Sequence, residues 1–294
     1  MPHLSNTTSE LPIFLLTGFP GLEAFHIWIS IPFFLLSTVA LLGNSMILLV
    51  VILEPSLHEP LYYFLFMLST TDLGLTLSTM PTTVGVLWFN ARNITLDACI
   101  IQLFFLHSSG FMESSVLMAM AFDHFVAICR PLRYATIMTD SRMLKIGVAI
   151  VVRMLISLCP SFFLIKRLSF CKINVLSHSY CFHPDVLKVA CTDSRMNSYG
   201  GLAVLILVTG VDTACIVLSY ILIIRSVLNI TSSEGRSKAF STCGSHIGAV
   251  SVFYIPWVVL SVVHRFFPQG STLCPPTIVQ PPFPWPLCAE PHHI

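Results

Sequence analysis

Apolar residues run almost unbroken over 28–52, 61–88, 100–128, 144–165, 198–228 and 239–263, and polar residues gather between these runs. Each run reaches the ~20 residues that a helix needs to cross the hydrocarbon core of a bilayer. Backbone groups in hydrocarbon must bond within their own segment, so helix is the physical default. Pro32, Pro81, Pro160 and Pro256 lie inside the runs and predict kinks that neighbouring helices absorb. The pattern predicts an all-α integral membrane protein with six transmembrane helices. Residues 1–27 form an outer N-terminus, 28–264 the six-span bundle, and 265–294 a tail of different character.

Composition supports the same class. Hydrophobic residues make up 55% of the 294 and charged residues only 10%, against the ~25% charged of a soluble domain. So few charges cannot cover a water-facing surface. The net charge of +1 excludes a nucleic-acid partner recognised by charge. Residues 1–27 hold no Lys or Arg, so the first span reads as an uncleaved signal-anchor rather than a signal peptide.

Short loops set the orientation. Arg130, Arg133, Arg142 and Lys145 follow span three, and Arg225, Arg236 and Lys238 follow span five, which makes that side cytoplasmic. The long 166–196 connection lies outside. It also carries Lys166, Arg167, Lys172, Lys188 and Arg195, but long loops constrain orientation less. Sequons at Asn6 and Asn93 agree with an outer N-terminus, whereas the one at Asn229 lies inside and stays bare. In the tail, Pro268, Pro275, Pro276, Pro281, Pro282, Pro284, Pro286 and Pro291 each cost a helix interior ~3 kcal/mol. The tail therefore predicts a disordered segment and no seventh helix.

Several strings are informative together: Gly43-Asn44; Pro60-Leu61-Tyr62-Tyr63-Phe64-Leu65 leading to Asp72; Met118-Ala119-Met120-Ala121-Phe122-Asp123; Ser219-Tyr220; and Lys238-Ala239-Phe240-Ser241-Thr242-Cys243 opening span six. This combination, over about residues 10–266, resembles the odorant receptors of the rhodopsin-like G-protein-coupled superfamily. Leu176-Ser177-His178-Ser179-Tyr180-Cys181 resembles their class I, fish-like branch. The resemblance implies a rhodopsin-like bundle in the cell membrane, a small-molecule odorant outside, an olfactory Gs-type G protein inside, lipid around it and no enzymatic activity. It also implies the disulfides Cys99–Cys181 and Cys171–Cys191; by themselves the four cysteines allow three connectivities.

Polar groups inside a membrane are costly, so each calls for a partner or a role. The family resemblance makes Asn44, Asp72 and Glu113 a mid-membrane cluster able to hold a sodium ion, with no other cofactor. The alternative is a protonated, hydrogen-bonded pair that pins helices together. His107 shares a face of span three with Ser114, and Arg265 follows Ser261 beyond the apolar part of span six. Class I receptors favour small polar odorants, often carboxylic acids, so His107, Ser114, Ser261 and Arg265 are expected to form a small-acid pocket. A guanidinium at Arg265 suits bidentate capture of a carboxylate.

Two departures from the family bear on signalling. Asp123-His124-Phe125 stands where the family carries Asp-Arg-Tyr or Asp-Arg-Phe, so coupling through Asp123, His124 and Arg133 is weakened. The tail lacks the family's Asn-Pro-containing seventh span. Two alternatives follow: a non-signalling, pseudogene-like remnant, and a six-span channel or transporter. The second has neither a re-entrant pore segment nor inverted repeats in its favour.

Overall fold

The computed structural model describes residues 12–266 except 20, 58, 171–174, 230 and 231; of residues 23, 238, 257, 258 and 260–266 only the backbone is described. The Asn6 sequon, Cys171 and the tail expectation for 268–294 lie outside the described residues.

In chain order the elements are β1 (Ile13–Leu16), α1 (His26–Leu53), α2 (Pro60–Phe89), β2 (Asn93–Thr95), α3 (Leu96–Cys129), α4 (Tyr134–Ile137), α5 (Asp140–Lys166), β3 (Val175–Leu176), α6 (His183–Lys188), α7 (Arg195–Leu228) and α8 (Ser233–Phe266). The six long helices contain all six predicted spans. Pro32, Pro81, Pro160 and Pro256 all lie inside them.

Helices α1, α3, α5 and α7 are long and apolar enough to cross a membrane by composition alone. Helix α2 is as long but carries many hydroxyls and Asp72. Its Thr70, Thr76, Thr79 and Thr83 donate back to carbonyls four residues earlier, so these hydroxyls enter the bundle already bonded.

The chain divides into two units, residues 1–241 and 242–294. In the first, α3 is the central post and packs against α2, α5 and α7, while α1 lies against α2. Helix α1 leaves Trp28, Leu35, Leu36, Val39 and Leu42 exposed, a face suited to lipid. An outer core gathers Phe14, Leu16, Leu103, Leu158, Phe162, Leu176 and Val186. An inner core gathers Phe64, Val116, Met120, Val126, Met143 and Ile150. The second unit contains most of α8, with Cys243 and His246 buried.

A three-stranded sheet, in the order β2-β1-β3, caps the outer end. Strand β1 pairs antiparallel with β2 (Phe14 opposite Ile94) and parallel with β3 (Leu16 opposite Leu176). Phe14 and Leu16 point into the core while Ile13 and Leu15 stay exposed, the period-two alternation of a half-buried strand. The turn beyond it needs Gly18, whose φ is +72° and whose missing Cβ would lie 3.3 Å from both His26 and Val86.

Candidate functional site: a histidine pair and the polar network beneath it

The outer site is assembled by one covalent tie. Cys99, at the start of α3, is bonded to Cys181, with Cα atoms 5.6 Å apart and a sequence separation of 82. Gln102, one turn further along α3, receives the Cys181 N–H at 2.8 Å. Its amide nitrogen donates to Ser78 O at 2.7 Å and to Thr82 Oγ1 at 2.6 Å on α2. The buried Gln102 thus uses both ends of its amide to fix the long outer loop against α2 and α3, as a buried polar group must. Cys191 is also disulfide-bonded.

Just past Cys181, α6 places His183 over His107. The two rings lie 5.6 Å apart, and His107 also meets the edge of Phe162 at 6.2 Å. Gly201 on α7 lets His183 in: a Cβ there would sit 3.2 Å from the imidazole. Nδ1 of His107 is buried without a hydrogen-bond partner among the described residues. Burial holds the His183 imidazole well below its ordinary value, at about 4.

The remaining charges of α6 are occupied. Asp185 is paired with His178 and, at 3.2 Å, with Lys188. Burial pushes its carboxyl up, but His178 and Lys188 outweigh this and hold it below its ordinary value.

Ser114 lies two turns below His107 on α3. Its hydroxyl donates to Asp212 Oδ2 on α7 at 2.7 Å. Arg153 on α5 donates to Asp212 Oδ1 at 2.7 Å, to Ser115 Oγ at 3.0 Å and to the Val208 carbonyl at 3.1 Å. This ion pair ties α3, α5 and α7 together, and the sequence reading passed over both charges. Ser114 therefore belongs to this network as well as to the face beneath the histidines. Ser261 and Arg265 fall on the last turns of α8, where only the backbone is described.

Deeper in the first unit, Asp72 on α2 and Glu113 on α3 are close enough for their charges to interact. Asn44 donates to Ala40 O at 3.0 Å. Of the residues expected in a polar cluster, Asn44 lies on α1, Asp72 on α2 and Glu113 on α3.

At the inner end, Asp123 accepts the Tyr134 hydroxyl at 2.8 Å and faces His124 at 3.5 Å. Burial, and then the Asp123 carboxylate, push the Tyr134 phenol up. Beyond them is a cavity of about 360 Å³ lined by Cys129, Arg130, Pro131, Leu132 and Arg133. Leu132 is 99% exposed at its rim.

Residues 33–279 match the family model described as olfactory receptor. The chain belongs to the olfactory receptor family. It is similar to human olfactory receptor 51F1, with 59% identity over 266 residues that cover 90% of this chain and 83% of that protein. It is 60% identical to human olfactory receptor 51F2, over 90% of this chain and 78% of that one, and 58% identical to human olfactory receptor OR51C1. As an olfactory receptor it is a multi-pass protein of the cell membrane, a G-protein-coupled sensor of odorants and not an enzyme. The family match runs past Arg265 into the proline-rich segment.

Proposed function

We propose that this olfactory receptor detects small polar odorants bearing a carboxylate, with His107 and its neighbour His183 as binding residues and, by the family resemblance, Ser261 and Arg265 as the further ones. The observation that carries this reading is the half-buried imidazole pair, with the buried Nδ1 of His107 lacking a hydrogen-bond partner among the described residues. A pocket wall of this kind is apolar apart from a few hydrogen-bonding groups, which suits a short acid rather than a large hydrocarbon. Ser114 then supports the wall from the Arg153–Asp212 network beneath it.

On the same reading, Asn44, Asp72 and Glu113 take a sodium ion, and Asn6 and Asn93 carry glycans. Cys171–Cys191 closes the second disulfide, with Cys191 already oxidised. The G protein is of the olfactory Gs type. It docks at the inner end, on the exposed Arg133 with Leu132 as an apolar anchor, while Asp123 and His124, buried beside each other, act on that surface from within. Coupling is attenuated for two reasons. His124 offers a shorter, weaker donor than arginine, and the prolines between 268 and 291 disfavour a helix in that stretch of sequence.

Arg265→Ala tests the ligand assignment. It is best made in a receptor whose residues 266–294 are replaced by the corresponding C-terminal part of olfactory receptor 51F1. The cAMP response to hexanoate is expected to be lost and the response to an uncharged odorant of equal length kept. An undiminished hexanoate response would overturn the assignment.

A further inference from the structure

Residues 130–139 join α3 to α5 on the side that the basic short loops make cytoplasmic. Among them Thr136 is exposed on α4, and its hydroxyl donates to the Arg133 carbonyl at 2.8 Å. Arg142, in the first turn of α5, reaches back to α4 and donates from Nη1 to the carbonyl of Ile137, the residue after Thr136, at 2.9 Å. The Arg133 side chain makes no hydrogen bond or ion pair among the described residues, and with Arg130 it lines the inner cavity. Neither Arg133 nor Arg142 is paired with a carboxylate among the described residues. The exposed hydroxyl therefore has one uncompensated arginine just before it on the chain and a second brought to it by α5. Thr139 and Ser141 are exposed too, but each adjoins Asp140, whose carboxylate repels a second negative group.

We propose that Thr136 is a phosphorylation site for a kinase that reads arginine ahead of its acceptor, and that Arg133 and Arg142 hold the phosphate once it is attached. The γ-phosphoryl group of ATP passes to Oγ1 of Thr136. A new O–P bond forms, the bond to the β-phosphate oxygen breaks, ADP leaves and the hydroxyl proton goes to solvent. Helix α4 has only four residues, too few to be stable alone, so it opens readily into the extended form that a kinase takes. The phosphate brings a charge of about −1.5 to −2 and three strong acceptor oxygens. Guanidinium forks match those oxygens in pairs. Arg142 exchanges the Ile137 carbonyl for the phosphate and ties α4 to α5, and the Arg133 guanidinium turns from solvent onto the same group. The inner face then loses positive charge where a cytoplasmic partner meets it. None of this depends on which odorant the outer site takes.

The test incubates the full chain, purified in detergent, with ATP and the catalytic subunit of cAMP-dependent protein kinase, an enzyme that reads basic residues. Mass spectrometry then locates the phosphate, and thermal unfolding compares the phosphorylated and unphosphorylated forms of each variant. Thr136 is expected to carry the phosphate, and Arg133→Gln to slow its incorporation by ~tenfold or more, the worth of one charge-assisted hydrogen bond. Phosphorylation should raise the unfolding temperature by about 2–4 °C. Arg142→Gln should still be phosphorylated but should lose most of that rise, and Thr136→Ala treated with the kinase should show none. Phosphate found on Thr139 or Ser141 in place of Thr136, or no incorporation at all, would overturn the assignment of the site. An unchanged rise in Arg142→Gln would overturn the role given to α5 in holding the phosphate.

Discussion

Asp212→Ala is expected to destabilise the receptor by about 3–5 kcal/mol, the usual consequence of removing one partner from a buried ion pair. Asp212 is wholly buried, and it accepts from Arg153 and Ser114 at once. Without it, the Arg153 guanidinium keeps only the Ser115 hydroxyl and the Val208 carbonyl, and the Ser114 hydroxyl loses its acceptor. A half-buried cation left within a membrane span without its counter-charge is the larger part of the loss. Thermal unfolding in detergent would read the effect. The paired substitution Arg153→Met with Asp212→Leu should recover much of it, because an apolar pair of similar volume avoids desolvating two charges. If the single and double variants were equally stable, the ion pair would not be what joins α3, α5 and α7 here.

Cys181→Ser is the second large effect. The bond to Cys99 closes a loop with a sequence separation of 82 residues. For a loop of that length the lost constraint on the unfolded chain is worth about 4–5 kcal/mol. The loss has a local component too. Gln102 receives the Cys181 N–H, and β3, a few residues before Cys181, completes the outer sheet with β1. His183 is positioned only two residues past the bond. Cys99→Ser, Cys181→Ser and the double variant should therefore fall to the same reduced stability, and all three should lose hexanoate binding. A double variant clearly less stable than either single one would mean that each cysteine contributes independently of the bond.

The six spans were legible because lipid demands a continuous apolar run, and that demand writes itself into composition. Their ends were less legible. Helix α3 begins at Leu96, where Thr95 caps it through the Ala98 N–H, and the polar first turn hides the start. The outer sheet left no readable pattern. Its strands have four, three and two residues, too short for alternation to stand out, and register with distant segments decides them.

Among site residues, Asn44, Asp72, Glu113 and His107 were found because a polar group in an apolar run draws notice. Arg153 and Asp212 carry the same signal, on spans four and five, and could have been found by it. What no local pattern reveals is that they pair directly, α5 to α7, and that Ser114 of α3 donates to the same carboxylate. His183 is harder still. It is a loop residue, and only the Cys99–Cys181 bond and the gap left by Gly201 bring it to His107. Tyr134 likewise gains its role at the inner end by folding back onto Asp123.

Two proposals, an acid-odorant site and a limit on signalling set by the sequence of residues 266–294, meet in one experiment. The most direct measurement is hexanoate-evoked cAMP in cells expressing, side by side, the chain with its own residues 266–294 and the chain with those residues replaced by the corresponding part of olfactory receptor 51F1. The predicted result is a graded response from the replaced form and little or none from the chain with its own tail, at matched surface expression. Equal responses from the two forms, or silence of the replaced form to hexanoate and its shorter and longer homologues, would contradict the account.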